Sequence, residues 1–183
     1  MYKLDLFNNK FVIQRFVVVQ IVMVLALILV GYRWATTFTE IVEQNIAMNI
    51  IIGLVGFAVT IVLHELIHSA LFRMFSGGKR PIYTYRHGVF VTYVPKMYYK
   101  KWQFFTIMLA PLIIITLASR ALFTVMPYSS LIFIASIHLG YCLLDLYLVG
   151  IVLNHKYIKY IEDTQDGIIL YPTRPAQTHV EVE

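Results

Sequence analysis

Two histidines four residues apart, His64 and His68 in the stretch "TIVLHELIHSALF", fall on one face of a helix one turn apart. That spacing lets both imidazoles reach a single ion. Zinc suits such a pair, and a catalytic zinc site takes three protein ligands while keeping a further position for water. Glu65 sits beside His64 but is rotated off the ligand direction, which suits a general base that accepts a proton from that water.

The third ligand has to come from another part of the chain. Of the ten acidic residues, Asp5, Glu40, Glu43, Glu162, Asp163, Asp166, Glu181 and Glu183 are assigned to the N-terminal arm, one loop or the C-terminal tail. Glu65 and Asp145 remain, both inside long apolar segments. A bare carboxylate there costs on the order of 3 kcal/mol or more, so each calls for a partner, a water-filled cavity or a metal. His64 lies nine residues before Arg73 and Asp145 nine residues before Asn154, which puts both roughly 13 Å inside their helix ends. Asp145 is therefore the expected third ligand. His138, two turns further along, falls roughly 10 Å deeper and is expected to support the site or to be structural. Tyr141, one turn before Asp145 on the same face, either hydrogen-bonds that carboxylate or a reaction intermediate, or packs as an ordinary tyrosine. Read without a metal, the same residues form a polar helix face satisfied by hydrogen bonds within a bundle.

The elements that must position these groups are membrane spans. The 183 residues are 59% hydrophobic and 14% charged, well away from the soluble average. Four segments, at about 16–32, 46–75, 103–126 and 131–153, have the ~20 apolar residues that a spanning helix needs. The expected fold is an all-α polytopic membrane protein, a single domain over residues 1–183, whose first span is a retained anchor rather than a cleaved leader. Gly77 and Gly78 suit the C-terminus of the second span. Arg80 to Lys96, rich in β-branched and aromatic residues around His87-Gly88, predicts a β-hairpin on the cytoplasmic face. Pro111 is a candidate kink in the third span, and Arg120 is expected to snorkel to the interface. The 13-residue loop from Arg33 to Asn45 reads as solvated linker. The tail over residues 154–183 is expected to hold short ordered structure around Ile168 to Tyr171 and then to be disordered. His87, His155 and His179 are expected to face solvent.

Charge sets the orientation. Arg33 and Arg120 are the two basic residues on one side of the four spans, and the other thirteen of the fifteen fall on the opposite side. That asymmetry gives both termini and the hairpin a cytoplasmic address. It also accounts for the net charge of +5 without nucleic acid. The single cysteine, Cys142, rules out an internal disulfide, and a cysteine-based metal site is not expected.

A span ending in HELIH, a β-rich cytoplasmic insert, a span with "APL" and a span with "GYCLLDLY" together resemble the small bacterial membrane proteins catalogued as "putative zincin peptidase". The resemblance covers roughly Ile46 to Leu153. More distantly, the order is similar to the three-helix core of the site-2 group of intramembrane metalloproteases. That group usually has a glycine after its ligand aspartate and another before the proline of its third core helix. Here Leu146 and Ala110 stand at those places, so the smaller family is the nearer one. The resemblance implies zinc held by His64, His68 and Asp145, with Glu65 activating water to hydrolyse a peptide bond in or next to a bacterial cell membrane. Its partners would be the bilayer and a membrane protein or membrane-associated peptide. The rival expectations are a non-proteolytic metal-binding scaffold or sensor, and a small transporter using His138, Asp145 and HELIH as a polar relay.

Overall fold

A computed structural model describes residues 2–5, 10–43, 45–86 and 89–175. The chain runs β1 (Tyr2–Asp5), α1 (Lys10–Ala35), α2 (Ile46–Phe75), β2 (Ile82–Arg86), β3 (Val89–Tyr93), β4 (Tyr99–Lys100) and α3 (Lys101–Val125). It continues through α4 (Ser129–Tyr141), α5 (Leu143–Asn154), β5 (Tyr160–Thr164) and β6 (Gly167–Tyr171).

Four helical segments are long and apolar enough to cross a membrane: Ile13–Ala35, Ile46–Phe75, Lys101–Val125 and Ser129–Asn154. Their outer faces keep large apolar side chains uncovered, among them Leu29, Leu54, Leu117 and Leu153, as expected of helices whose solvent is lipid. Asn45 starts α2 by accepting a hydrogen bond from the Met48 N–H at 2.8 Å. The end of α2 is a Schellman turn. Gly77 and Gly78 take positive φ, and the Gly78 N–H reaches the Arg73 carbonyl at 2.9 Å. Helix α3 runs uninterrupted through Pro111.

The fourth span departs from the single helix expected. Cys142 stands between α4 and α5. Its N–H still reaches the His138 carbonyl at 3.0 Å, and its carbonyl accepts from the Leu146 N–H at 3.1 Å. The interruption therefore leaves little backbone polarity unpaired, as a membrane span would require.

Small residues let the helices approach closely. A Cβ on Gly56 of α2 would meet Ile134 of α4 at 2.3 Å, and one on Gly140 of α4 would meet Val24 of α1 at 2.2 Å. Nearby, Gln20 of α1 donates its side-chain N–H to the Gly140 carbonyl at 3.0 Å.

The expected hairpin is present as the antiparallel pair β2–β3, with Ile82 opposite Tyr93. The expected turn at His87-Gly88 lies outside the described residues. A second sheet was not expected. It has the order β1–β6–β5–β4 and is antiparallel throughout. It draws on the N-terminal arm, the segment before α3 and the tail, where the short ordered structure expected around Ile168 to Tyr171 is the second strand of a hairpin that begins at Tyr160. The disorder expected beyond it concerns residues 176–183, which lie outside the described residues.

The physical reason is the core that this sheet completes. Phe72, Tyr99, Phe104, Ile107, Val152, Ile161, Ile168 and Leu170 are fully buried in one cluster, where the ends of α2, α3 and α5 meet β4, β5 and β6. Without the sheet those helix ends would expose a large apolar surface to water.

The loop after α1 is also less free than expected. The Val42 N–H reaches the Pro127 carbonyl at 2.9 Å, and the Tyr32 hydroxyl donates to Glu43. Arg120 is exposed and lies over the Trp34 ring, 5.5 Å from its centroid.

Candidate metal centre

Helix α2 buries His64 and His68 on the face that meets α4 and α5. Their Nε2 atoms point at each other, 2.9 Å apart. Asp145, in the first turn of α5, completes the group with Oδ2 at 3.3 Å from His64 Nε2 and Oδ1 at 3.7 Å from His68 Nε2. All three residues are buried.

This donor set suits zinc. Two imidazole nitrogens and the two oxygens of one carboxylate converge, and tetrahedral bonds of ~2.0–2.1 Å place neighbouring ligand atoms about 3.3 Å apart, a value that the separations of 2.9, 3.3 and 3.7 Å bracket. The break at Cys142 is close to the site in the chain, since it begins the helix whose first turn carries Asp145.

Glu65 points to the side of this group and is held by two hydroxyls. Thr92 of β3 donates to Oε2 at 2.6 Å, and Tyr141 at the end of α4 donates to Oε1 at 3.0 Å. Tyr141 therefore does bond a carboxylate, but that of Glu65 on α2 rather than that of Asp145, one turn further along its own chain. Thr92 was missed, because its role depends on β3 packing against α2.

His138 corrects the depth argument. It does not lie a further 10 Å away, because its Nε2 is 3.2 Å from Nδ1 of His64. It sits on the far side of that ring from Asp145 and so touches the nitrogen that the triad leaves unused. Counting residues along one ideal helix axis ignored the crossing of α4 over α2. Cys142 adds its Sγ at 3.4 Å from His138 Nε2 and 3.8 Å from His64 Nδ1, so His64, His138 and Cys142 form a second buried group with metal-compatible spacing. The expectation that the cysteine stands apart from such chemistry is corrected. The spacing of Cys142 four residues after His138 on a helix was the available signal.

His155 is also not simply solvent-facing. It is half-buried, its Nδ1 lies 2.9 Å from the Ile151 carbonyl, and its ring lies 5.0 Å from that of Tyr2. His87 and His179 lie outside the described residues.

A cavity of about 50 Å³ joins these groups. Phe72, Phe90, Met108, Leu144 and Leu148 give it apolar walls, while His64, Glu65, His68, Tyr141 and Asp145 supply its polar side. Its remaining wall comes from the tail hairpin through Asp163, Thr164 and Gly167. Asp163, one of the acids that the sequence places in the tail, is 5% exposed. Burial raises its carboxyl to about 8 against the opposing pull of His68 and the Thr164 backbone N–H. The signal was the period-2 pattern of "YIEDT", which places Asp163 on the same inward face as Ile161.

No curated protein and no solved structure matches the chain. The sequence profile of a family described as "Putative zincin peptidase" matches residues 57–160, which hold every residue of the His64–His68–Asp145 group together with Glu65, Thr92, His138 and Tyr141. The match spans more than half of the chain, and the protein belongs to that family.

Proposed function

We propose that the protein is a membrane-embedded zinc metallopeptidase that hydrolyses peptide bonds in or next to the cytoplasmic leaflet of a bacterial cell membrane. His64, His68 and Asp145 hold the metal, and Glu65 is the general base. The observation that carries this reading is the convergence of His64 Nε2, His68 Nε2 and the Asp145 carboxylate beside a glutamate whose two oxygens are separately fixed.

A zinc ion bound there would act as a Lewis acid toward a scissile carbonyl and toward water. Glu65 takes the proton of the attacking water and delivers it to the leaving amine, so that one water and one amide give a carboxylic acid and an amine. Thr92 and Tyr141 hold the carboxylate in place through both proton transfers. The apolar walls keep bulk water out, which strengthens each electrostatic contact inside.

The site would open toward the cytoplasm, because the sheet and hairpin lie at the end of the bundle that the basic residues mark as cytoplasmic. A cavity of about 50 Å³ has room for an ion and a water, since a site needs only ~10–15 Å³ of such space to hold one water. An unwound substrate segment could pair with the open edge of the β2–β3 hairpin.

Metal analysis of purified protein tests the reading. One zinc per chain is expected, retained in Glu65→Gln and lost in His64→Ala and Asp145→Ala. Absence of zinc from the wild type would sink it. Cleavage of membrane peptides by wild type but not by Glu65→Gln is the second expectation. Zinc without any such cleavage would favour a metal-binding scaffold or sensor.

A further inference from the structure

The two histidines of the proposed centre are supported unequally. A histidine that binds a metal through Nε2 carries its proton on Nδ1, and that N–H ordinarily donates to a carboxylate, carbonyl or water that fixes the ring. For His64 the place is taken by His138, whose Nε2 lies 3.2 Å from His64 Nδ1. For His68 it is open: Nδ1 is fully buried and has no hydrogen-bond partner among the described residues. A buried donor without an acceptor is costly, and the cost recurs for as long as the ring is held as a metal ligand.

The same cavity contains a carboxylate that the proposed reaction does not use. Asp163 reaches it from β5, on the sheet outside the spans, and is 5% exposed. Its one identified hydrogen-bond donor among the described residues is the backbone N–H of Thr164, and it lines the same cavity as His68. A carboxylate can accept several hydrogen bonds, so capacity remains for a second donor.

We infer that Asp163 is the positioning residue for His68, accepting the Nδ1–H when zinc is bound and so coupling the extramembrane sheet to the metal centre. The inference rests on the proposed zinc site. It assigns a role to the tail hairpin, which lies beyond the residues that the family profile matches from β5 onward. The sheet would then set the affinity of a site that sits on the helices, and an event that displaced β5 would loosen the metal.

Zinc affinity, measured by chelator competition on the full chain in detergent, tests this without any peptidase assay. Asp163→Asn is expected to weaken zinc binding about 10–100-fold, and Asp163→Glu to recover most of the loss. Glu162→Gln, whose carboxylate accepts from the Tyr171 hydroxyl instead, is expected to bind zinc like the wild type. In 15N-histidine spectra of the zinc-loaded wild type, the His68 Nδ1–H should appear as an exchange-protected downfield signal that is lost in Asp163→Asn. Wild-type affinity and an unchanged His68 signal in Asp163→Asn would overturn the inference while leaving the zinc site intact. Equal weakening by Glu162→Gln would also overturn it, because the effect would then be one of sheet stability. A wild type that binds no zinc would remove both the inference and the reading beneath it.

Discussion

Glu65, Tyr141 and Thr92 form the smallest unit whose geometry can be tested on its own. Glu65→Gln keeps the shape of the side chain and one oxygen able to accept from a hydroxyl but cannot take a proton. It should reduce peptide hydrolysis about 10²–10⁴-fold, the usual contribution of a general base, with zinc content unchanged by elemental analysis. Tyr141→Phe and Thr92→Val each remove one of the hydroxyls that fix Glu65, at 3.0 and 2.6 Å. Each should lower the turnover rate while leaving zinc content alone, and a loss of zinc in either would show that the hydroxyl serves the metal group instead. Asp163 gives a pH-dependent prediction for the metal-free protein. Its carboxyl is raised by burial to about 8, so the folded chain binds this proton more tightly than the unfolded chain does. Between the unfolded value, near 4, and 8, the unfolded state holds fewer protons, and stability falls as pH rises. Asp163→Asn removes that dependence. Its melting temperature should exceed that of the wild type by on the order of 5 °C at pH 8, with the difference fading toward pH 4.

At the scale of elements, the contact of α1 with α4 lies next to the helix break that leads into Asp145. Gly140 has no room for a side chain, because a Cβ there would meet Val24 at 2.2 Å. Gly140→Val should therefore push α1 outward and cost about 1–3 kcal/mol through overpacking, read as a lower melting temperature in detergent. It should also weaken zinc binding, by shifting His138 of α4 and, just beyond the break, Asp145 of α5. Gly53→Ala in α2 meets nothing within 4 Å and should leave both quantities unchanged. Much at this scale was legible in the sequence. The bounds of α2 agree with those read from hydropathy, and β2–β3 lies inside the stretch from Arg80 to Lys96, because a run of apolar or β-branched residues carries its own periodicity. Cys142 was not legible as a break, since no proline or glycine at that position signals it.

For the whole molecule, β1, β4 and the β5–β6 hairpin come from three separate segments and meet in one sheet, which requires the N-terminal arm, the segment before α3 and the tail to share one side. With four spans and thirteen of fifteen basic residues there, that side is expected to be cytoplasmic. Lys3→Cys and Pro172→Cys should resist a membrane-impermeant thiol reagent in intact cells and react once the membrane is opened, while Thr37→Cys should react from outside. Labelling of Lys3→Cys in intact cells would reverse the topology. The single native thiol, Cys142, is buried and should give little background.

What the sequence by itself determined was local. The four-residue interval between His64 and His68 fixes two imidazoles on one helical face whatever surrounds them, and the length and apolarity of four segments are properties of each segment alone. Asp145 could be singled out because few acids lie within those segments and because a helix converts residue count into depth. The tertiary structure decided which nitrogen of His64 faces Asp145 and which faces His138, and it brought Thr92 and Asp163 to the cavity. Those contacts depend on helix crossings and on a strand that folds back from the tail. Neither leaves a period in the sequence, because the partners are far apart along the chain and their spacing is set only by how the elements pack.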